Sequence, residues 1–211
     1  MSLRVQPALF TSGGATEVDP TFRGAVRTAL DASSWVELVP GWLSGADRLF
    51  DTLAERVPWR QLHRVLYGKR FREPRMTAEY RDIRQMPVPA IVAAADVLSA
   101  HYGVPYDGVW LNLYRQGRDS TSWHRDHFTC RIPDCIVPVL TLGTARRFLI
   151  KPKAGGDSIP FRPRSGDLLV MGGRAQEDWV HAVPKEAFVA GARISVNFYS
   201  SMQARRPPGQ P

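Results

Sequence analysis

Cysteine is almost missing from this sequence. Only Cys130 and Cys135 occur in 211 residues, too few for a disulfide framework and too few to fill a four-ligand structural zinc site. They read as two reduced thiols. Long hydrophobic runs are missing too: the longest apolar stretches, Ile136 to Leu142 and Ala90 to Ala95, fall far short of the roughly 20 residues a membrane span needs. No transmembrane helix and no membrane partner are expected. The first residues, Met1-Ser-Leu-Arg-Val-Gln-Pro7, lack a basic stretch followed by an apolar core, so no secretory signal is read and a cytoplasmic protein is expected. There is no internal repeat and no glycine-rich phosphate loop. Acidic residues are the minority charge, 20 Asp and Glu against 28 Lys and Arg, for a net charge of +8 and a pI near 10.0. That balance suggests a polyanionic partner.

What is present is globular: 44% apolar and 23% charged residues, the proportions of a chain that can build a core. One domain is expected over 35–202, with a loosely packed extension at 1–34, rich in Gly, Thr and Ser, and a flexible Pro-rich tail at 203–211. A single monomeric unit is the expectation. The positive charge is concentrated. Arg60, Arg64, Lys69, Arg70, Arg72, Arg75, Arg81 and Arg84 face only Glu73, Glu79 and Asp82 between positions 60 and 84. Trp59, Tyr67, Phe71 and Tyr80 are interleaved with them, and aromatics among cations suit base stacking beside phosphate contacts. Nucleic acid is the partner this segment points to, against the plainer reading of a solvated basic face.

Ser44-Gly-Ala-Asp47, followed by Leu49, Phe50, Leu53 and Val57 at helical spacing, predicts a capped helix ending before Pro58. Ile91, Ala94, Ala95, Leu98 and Tyr102 predict a second, stopped by Gly103 and Pro105. Gly68 and Pro74 make the basic segment between them hairpin and loop. From Val109 onwards the character is short strands: Val109 to Arg115, Ile136 to Leu142, Arg147 to Lys151, Leu168 to Met171, Trp179 to Val183 and Arg193 to Ser200. Such a series behind two helices predicts a mainly β domain of the α+β class, a double-stranded β-helix (jelly roll) buttressed by N-terminal helices.

Five histidines occur. In Trp123-His124-Arg125-Asp126, imidazole and carboxylate are two apart, so an extended segment projects both to one face. His181 lies in a later strand. Two imidazoles and one carboxylate on converging strands make the facial triad of non-haem Fe(II) oxygenases, leaving three coordination positions open. An isolated H-x-D is a weak signal, but Asn112 and Tyr114 share one strand face just before it, and Arg193, Ser195, Asn197 and Tyr199 alternate with Ile194, Val196 and Phe198 in the last strand. A polar stripe inside a small barrel is costly unless it meets a polar ligand, and a dicarboxylate would pair with Arg193. Otherwise the stripe is a solvent face.

The order N-x-Y, H-x-D, W-x-H and a terminal R-I-S-V strand resembles the AlkB family of Fe(II)- and 2-oxoglutarate-dependent dioxygenases, notably its bacterial nucleic-acid dealkylases, over Pro58 to Ser200. Tyr114-Arg-Gln-Gly-Arg-Asp119, Gly166-Asp-Leu-Leu-Val-Met-Gly-Gly173 and Pro74-Arg-Met-Thr-Ala-Glu-Tyr80 match as phrases. The resemblance implies that His124, Asp126 and His181 hold Fe(2+) and serve catalysis, and that Asn112, Tyr114 and Arg193, with Ser195 and Tyr199 at the later motif positions, hold 2-oxoglutarate. It implies a lid at about 58–86, with Arg72, Arg75, Tyr80, Arg81 and Phe128 contacting substrate. The implied reaction uses O2 to demethylate N-alkylated bases in DNA or RNA, releasing formaldehyde, succinate and CO2. The chain departs from the family at two places. R-x-N-x-x-x-R is replaced by a sequence with Ser195 and Tyr199, and an acid two residues past the metal-binding aspartate is replaced by Phe128. Tyr199 offers a hydrogen bond without a charge. His127 faces away from His124 and reads as a surface residue. Two other readings are a related hydroxylase or demethylase acting on protein or a small molecule, and a nucleic-acid-binding module without turnover. A zinc hydrolase would leave Asn112, Tyr114 and Arg193 unexplained.

Overall fold

The computed structural model describes residues 15–66, 68–126 and 129–204, so the readings of residues 1–14 of the extension, Tyr67, His127, Phe128 and the residues after 204 lie outside the described residues. In chain order, Glu17–Val18 (β1), Val26–Ala29 (β2), Ser34–Val39 (β3) and Leu43–Ser44 (β4) precede the helix Ala46–Arg56 (α1). The basic segment follows as His63–Leu66 (β5), Lys69–Arg72 (β6) and Met76–Tyr80 (β7), then a 3-10 turn at Ile83–Gln85 and the helix Pro89–Tyr102 (α2). The remainder is Gly108–Tyr114 (β8), Thr121–His124 (β9), Val137–Gly143 (β10), Phe148–Pro152 (β11), Ile159–Phe161 (β12), Leu168–Gly173 (β13), Ala175–Asp178 (α3), Trp179–Val183 (β14), Arg193–Tyr199 (β15) and Ser201–Ala204 (α4).

A seven-stranded sheet runs β2-β3-β13-β10-β15-β8-β7 and a four-stranded sheet runs β12-β11-β14-β9. Every pairing in them is antiparallel. Side-chain alternation sorts the large sheet into two faces. Val109, Leu111, Leu113, Leu140, Leu142, Ile194, Val196 and Phe198 pack on one side with Phe50 and Leu53 of α1 and Ile91 and Leu98 of α2. On the other, Tyr114, Val137, Val139, Leu169 and Met171 meet Phe148, Ile150, Trp179 and Val183 of the small sheet. The jelly roll backed by two helices is present, and the polar stripe of β15 points between the sheets rather than into solvent.

Local departures from expectation have local causes. Ser44 does not cap α1: the residue before the helix is Gly45, at φ 66° and with no side-chain cap, while the Ser44 hydroxyl donates to the Glu17 carbonyl at 3.3 Å. Gly103 ends α2 as expected, in the left-handed region at φ 66°, where a side chain is strained. The stretch read as a loose extension pairs β2 with β3 and sends Phe22 into the helical core. At the other end, the buried Gln203 accepts from the Ile136 N–H at 2.8 Å. Cys130 and Cys135 are joined as a disulfide rather than two thiols, because the chain doubles back over the segment between them and the Cys135 N–H donates to Gly173. Sequence spacing alone does not reveal that reversal.

Arg146 is the polar staple of this end of the barrel. Its guanidinium, wholly buried, pairs with Glu186 at 3.0 Å and donates to the carbonyls of Gln116, Gly117, Asp119 and Pro184 at 2.7–3.2 Å. It thereby fastens the loop after β8 to the loop after β14. Lysine keeps the charge but cannot present a planar fork to five acceptors. Arg146→Lys is expected to lower stability by about 3 kcal/mol, read as a lower urea midpoint at unchanged m-value. An unshifted midpoint would show that water replaces these bonds at no cost.

Candidate active site and metal centre

His124 and His181 are direct cross-strand partners on β9 and β14, so antiparallel register, not sequence proximity, brings their rings to 4.3 Å between centroids. Asp126 follows two residues beyond His124. Its Oδ1 lies 3.7 Å from His124 Nε2 and its Oδ2 3.5 Å from His181 Nε2, and ligand atoms of all three fall within 4.8 Å of one another. The His124 Nδ1 sits 2.8 Å from the Ser122 carbonyl. Donating there fixes the tautomer and leaves the Nε2 lone pair to bind a metal. Burial pushes the His181 imidazole down to about 4, against an opposing pull from Asp126. The ring is therefore neutral near pH 7 and ready to ligate. Two imidazoles and a carboxylate on one side of an ion suit Fe(II) with positions left open.

The triad sits in a cavity of about 830 Å³. Across from it, β15, β8 and β7 present rows of side chains set by register: Arg193 beside Tyr114, Ser195 beside Asn112 and Thr77, Asn197 beside Trp110 and Glu79. Arg193 is 2% exposed, and burial pushes its guanidinium pKa down. One Nη donates to Thr141 at 3.0 Å, yet Nε and Nη1 are buried without a hydrogen-bond partner among the described residues. Buried guanidinium donors left unsatisfied are expensive, and a carboxylate is a ligand that would satisfy them. The Tyr114 ring lies 5.4 Å from this guanidinium, and its hydroxyl bonds Thr121 at 2.7 Å. Metal ligands and carboxylate donors thus share one chamber, with apolar walls from Val137, Val139, Phe148 and Val183. A metal and a dicarboxylate fit it.

Several residues are placed differently from expectation. Tyr199 lines the cavity, but its hydroxyl is turned to Glu79 at 3.3 Å, at the opposite end of β15 from Arg193. Tyr80 does not face the cavity. Strand alternation sends it, with Met76 and Ala78, against the helical core, while Thr77 and Glu79 take the other face. Arg75 is no surface cation: its side chain is 10% exposed and paired with Glu73 at 3.1 Å. Arg72 is exposed on β6, and Arg81, 87% exposed, pairs with the partly exposed Glu79.

Gln176 is the functional residue that sequence reading missed. It is 3% exposed, its Oε1 accepts the Asp126 N–H at 2.8 Å, and its Nε2 donates to Asp126 Oδ2 at 3.4 Å. One amide therefore orients the backbone and the carboxylate of a candidate metal ligand from 50 residues away. Its only sequence signal is its place between Gly173 and Trp179, which no periodicity rule picks out.

A family model described as the 2OG-Fe(II) oxygenase superfamily matches residues 36–198. Among curated proteins, the chain is similar to alpha-ketoglutarate-dependent dioxygenase alkB homolog 3 of Homo sapiens, 29% identical over 217 residues that cover 92% of this chain and 72% of that protein. It is also similar to DNA oxidative demethylase ALKBH2 of Homo sapiens, 25% identical over 221 residues, 93% and 84% of the two chains. A crystal structure of an oxidoreductase of the 2OG-Fe(II) oxygenase family from Burkholderia pseudomallei matches with a TM-score of 0.53 at 17% identity, covering 78% of this chain and 84% of that one. The structure of OsALKBH1 matches at 0.52 and 15% identity, covering 83% and 100%. These two likenesses carry the fold.

Removing the amide that holds a ligand costs metal affinity without removing a ligand. Gln176→Ala is expected to weaken Mn(II) binding roughly 10- to 100-fold, measured by anaerobic titration of free Mn(II), while His181→Ala should abolish it. Wild-type affinity in Gln176→Ala would show that Asp126 orients itself.

Proposed function

The chain belongs to the 2OG-Fe(II) oxygenase superfamily, and on that premise we propose that it oxidatively demethylates N-alkylated bases in DNA or RNA. The observation that carries the reading is the shared chamber, lined both by three candidate metal-ligand atoms within 4.8 Å of one another and by Arg193, whose Nε and Nη1 are buried with no hydrogen-bond partner among the described residues. His124, Asp126 and His181 would hold iron; Arg193, Tyr114 and Asn112 would hold 2-oxoglutarate beside it. Bound iron, with 2-oxoglutarate and dioxygen, supplies the oxidation of an N-methyl carbon whose hydroxylated form releases formaldehyde, while succinate and CO2 leave from the cosubstrate. The chain's own part is positioning and dryness. Gln176 holds Asp126, Arg146 closes the loops at the cavity end, and Val137, Val139, Phe148 and Val183 keep bulk water from the reacting carbon.

Access fits a base brought out of its stack. Leu62 and His63, at the start of the β5–β6 hairpin, line the cavity, so the exposed Arg72 and the rim Arg81 stand where a nucleic-acid backbone would pass. The names of the ALKBH2 relatives, DNA oxidative demethylases, support the same substrate class.

Anaerobic reconstitution with Fe(II) and 2-oxoglutarate, then exposure to air with a panel of N-methylated oligonucleotides, should give formaldehyde equal to the succinate formed and strands lighter by CH2 as N–CH3 becomes N–H. His124→Ala should give neither product. Succinate formed with every methyl retained would turn the assignment to a protein or small-molecule substrate. For the rim, replacing Arg72 and Arg81 by Gln should flatten the dependence of log affinity on log salt by roughly 0.7 for each phosphate no longer neutralised on single strands. Identical slopes would make this rim a solvated face.

A further inference from the structure

We propose that Arg75 is a positioning residue for the cosubstrate: together with Trp110 it locks the Asn112 amide so that only N–H donors face the carboxylate site. The inference rests on the assignment of Asn112 to 2-oxoglutarate. Three facts carry it. First, Arg75 directly precedes β7, where Met76 pairs with Leu113 and Thr77 with Asn112; alternation therefore puts its side chain on the cavity face, beside the Tyr114–Arg193 row, and it lines the cavity. Second, Arg75 Nε donates to Asn112 Oδ1 at 2.9 Å and Trp110 Nε1 donates to the same oxygen at 3.0 Å. Third, the Asn112 Nδ2 points the other way, to the Ser195 hydroxyl at 3.3 Å.

An amide oxygen has two lone pairs. Both are taken by donors that cannot accept, so flipping the amide would set its NH2 against the N–H groups of Arg75 and Trp110. The orientation is thus held by two hydrogen bonds, and the NH2 is the half left for a ligand. This matters because a carboxylate only accepts: a flipped Asn112 would offer it an oxygen and repel it. Charge is not the main contribution of Arg75, since Glu73 pairs with its guanidinium at 3.1 Å inside the same buried corner. Its role is to orient an amide, which explains why a cation in the basic segment is turned inwards while Arg72 and Arg81 stay outside.

The test uses full-length protein in which Arg75→Met is combined with Glu73→Gln, so that no buried carboxylate is stranded, and separately Trp110→Phe, which removes the other donor. Affinity for 2-oxoglutarate itself is measured on the Mn(II)-loaded protein, which does not turn over, by tryptophan fluorescence or calorimetry. KM and kcat are then measured with Fe(II), and the salt dependence of oligonucleotide binding is recorded on the same samples. The expected result is a rise of roughly tenfold in the Kd and KM for 2-oxoglutarate in each variant, kcat at saturating cosubstrate close to wild type, and an unchanged salt slope. Wild-type 2-oxoglutarate affinity in both variants overturns the inference alone, as does a flattened salt slope with unchanged cosubstrate binding, which returns Arg75 to the phosphate backbone. A wild-type protein that binds no 2-oxoglutarate overturns the cosubstrate assignment and the inference with it.

Discussion

Burying a guanidinium with only part of its hydrogen-bonding capacity met is the constraint around which this molecule is arranged. Arg193 is placed between two sheets, where desolvation lowers its pKa, and an ion in that setting costs several kcal/mol unless it is paired. The fold supplies a partial answer from the neighbouring strands: Thr141 on β10 accepts one donor, and the Tyr114 ring on β8 lies against the guanidinium face. The residual deficit, two guanidinium nitrogens without a hydrogen-bond partner among the described residues, is what would suit the chamber to an anion rather than to a sealed core. Arg146 stands nearby, with five acceptors around it. The contrast between the two buried arginines separates structural from binding chemistry: one is fully satisfied by the chain, and the other is left open.

Both faces of the large sheet are buried at its central strands β8, β10, β13 and β15, and that is why the polar stripe can be held so firmly. A strand with one wet face can slip by one residue at the cost of turning its apolar residues outwards. Here a slip of β15 would drive Arg193, Ser195 and Asn197 into the helical core and bring Ile194, Val196 and Phe198 against the metal chamber. The apolar packing of Phe198 and Val196 against α1 and α2 therefore fixes the register that puts Arg193 opposite Tyr114. Helices far from the chemistry set the address of the carboxylate site.

Much of this was legible because period-2 alternation and short motifs report on single strands. W-x-H, N-x-Y and the R-I-S-V strand each lie on one element, whereas H-x-D begins on the last residue of β9 and ends two residues past it. What sequence did not reveal is of another kind. The inward turn of Arg75, the outward-reading Tyr80 that packs on helices, and the grip of Gln176 on Asp126 depend on which strand lies beside which, and on whether a strand begins one residue earlier or later. A composition count treats Arg72, Arg75 and Arg81 as equivalent cations. One-residue parity in β7 makes Arg75 an interior residue and sends Tyr80 away from the cavity. The Ser44-to-Asp47 signal failed for a local reason: a glycine in the left-handed region turned the chain so that the serine hydroxyl met Glu17 instead of the helix.

The same parity separates cosubstrate from substrate along a single segment. From Arg72 to Arg81 the chain alternates between exposed cations at the hairpin and rim and inward residues that meet Asn112 and Trp110, so on the proposed reading two kinds of anion recognition would share one short stretch without sharing side chains. Phosphate contacts at the surface are screened by salt and tolerate movement. Carboxylate contacts in the chamber are shielded from salt and depend on fixed donor geometry. Because Glu73 pairs with Arg75, the inner half of the segment adds little net charge to the rim, and surface cations can vary with the nucleic acid they meet while the amide at Asn112 stays locked. Anchoring the proposed recognition surface through one interior arginine would couple it to the chamber, since any shift of β7 that opened the rim would also loosen the hydrogen bond of Arg75 to the Asn112 amide.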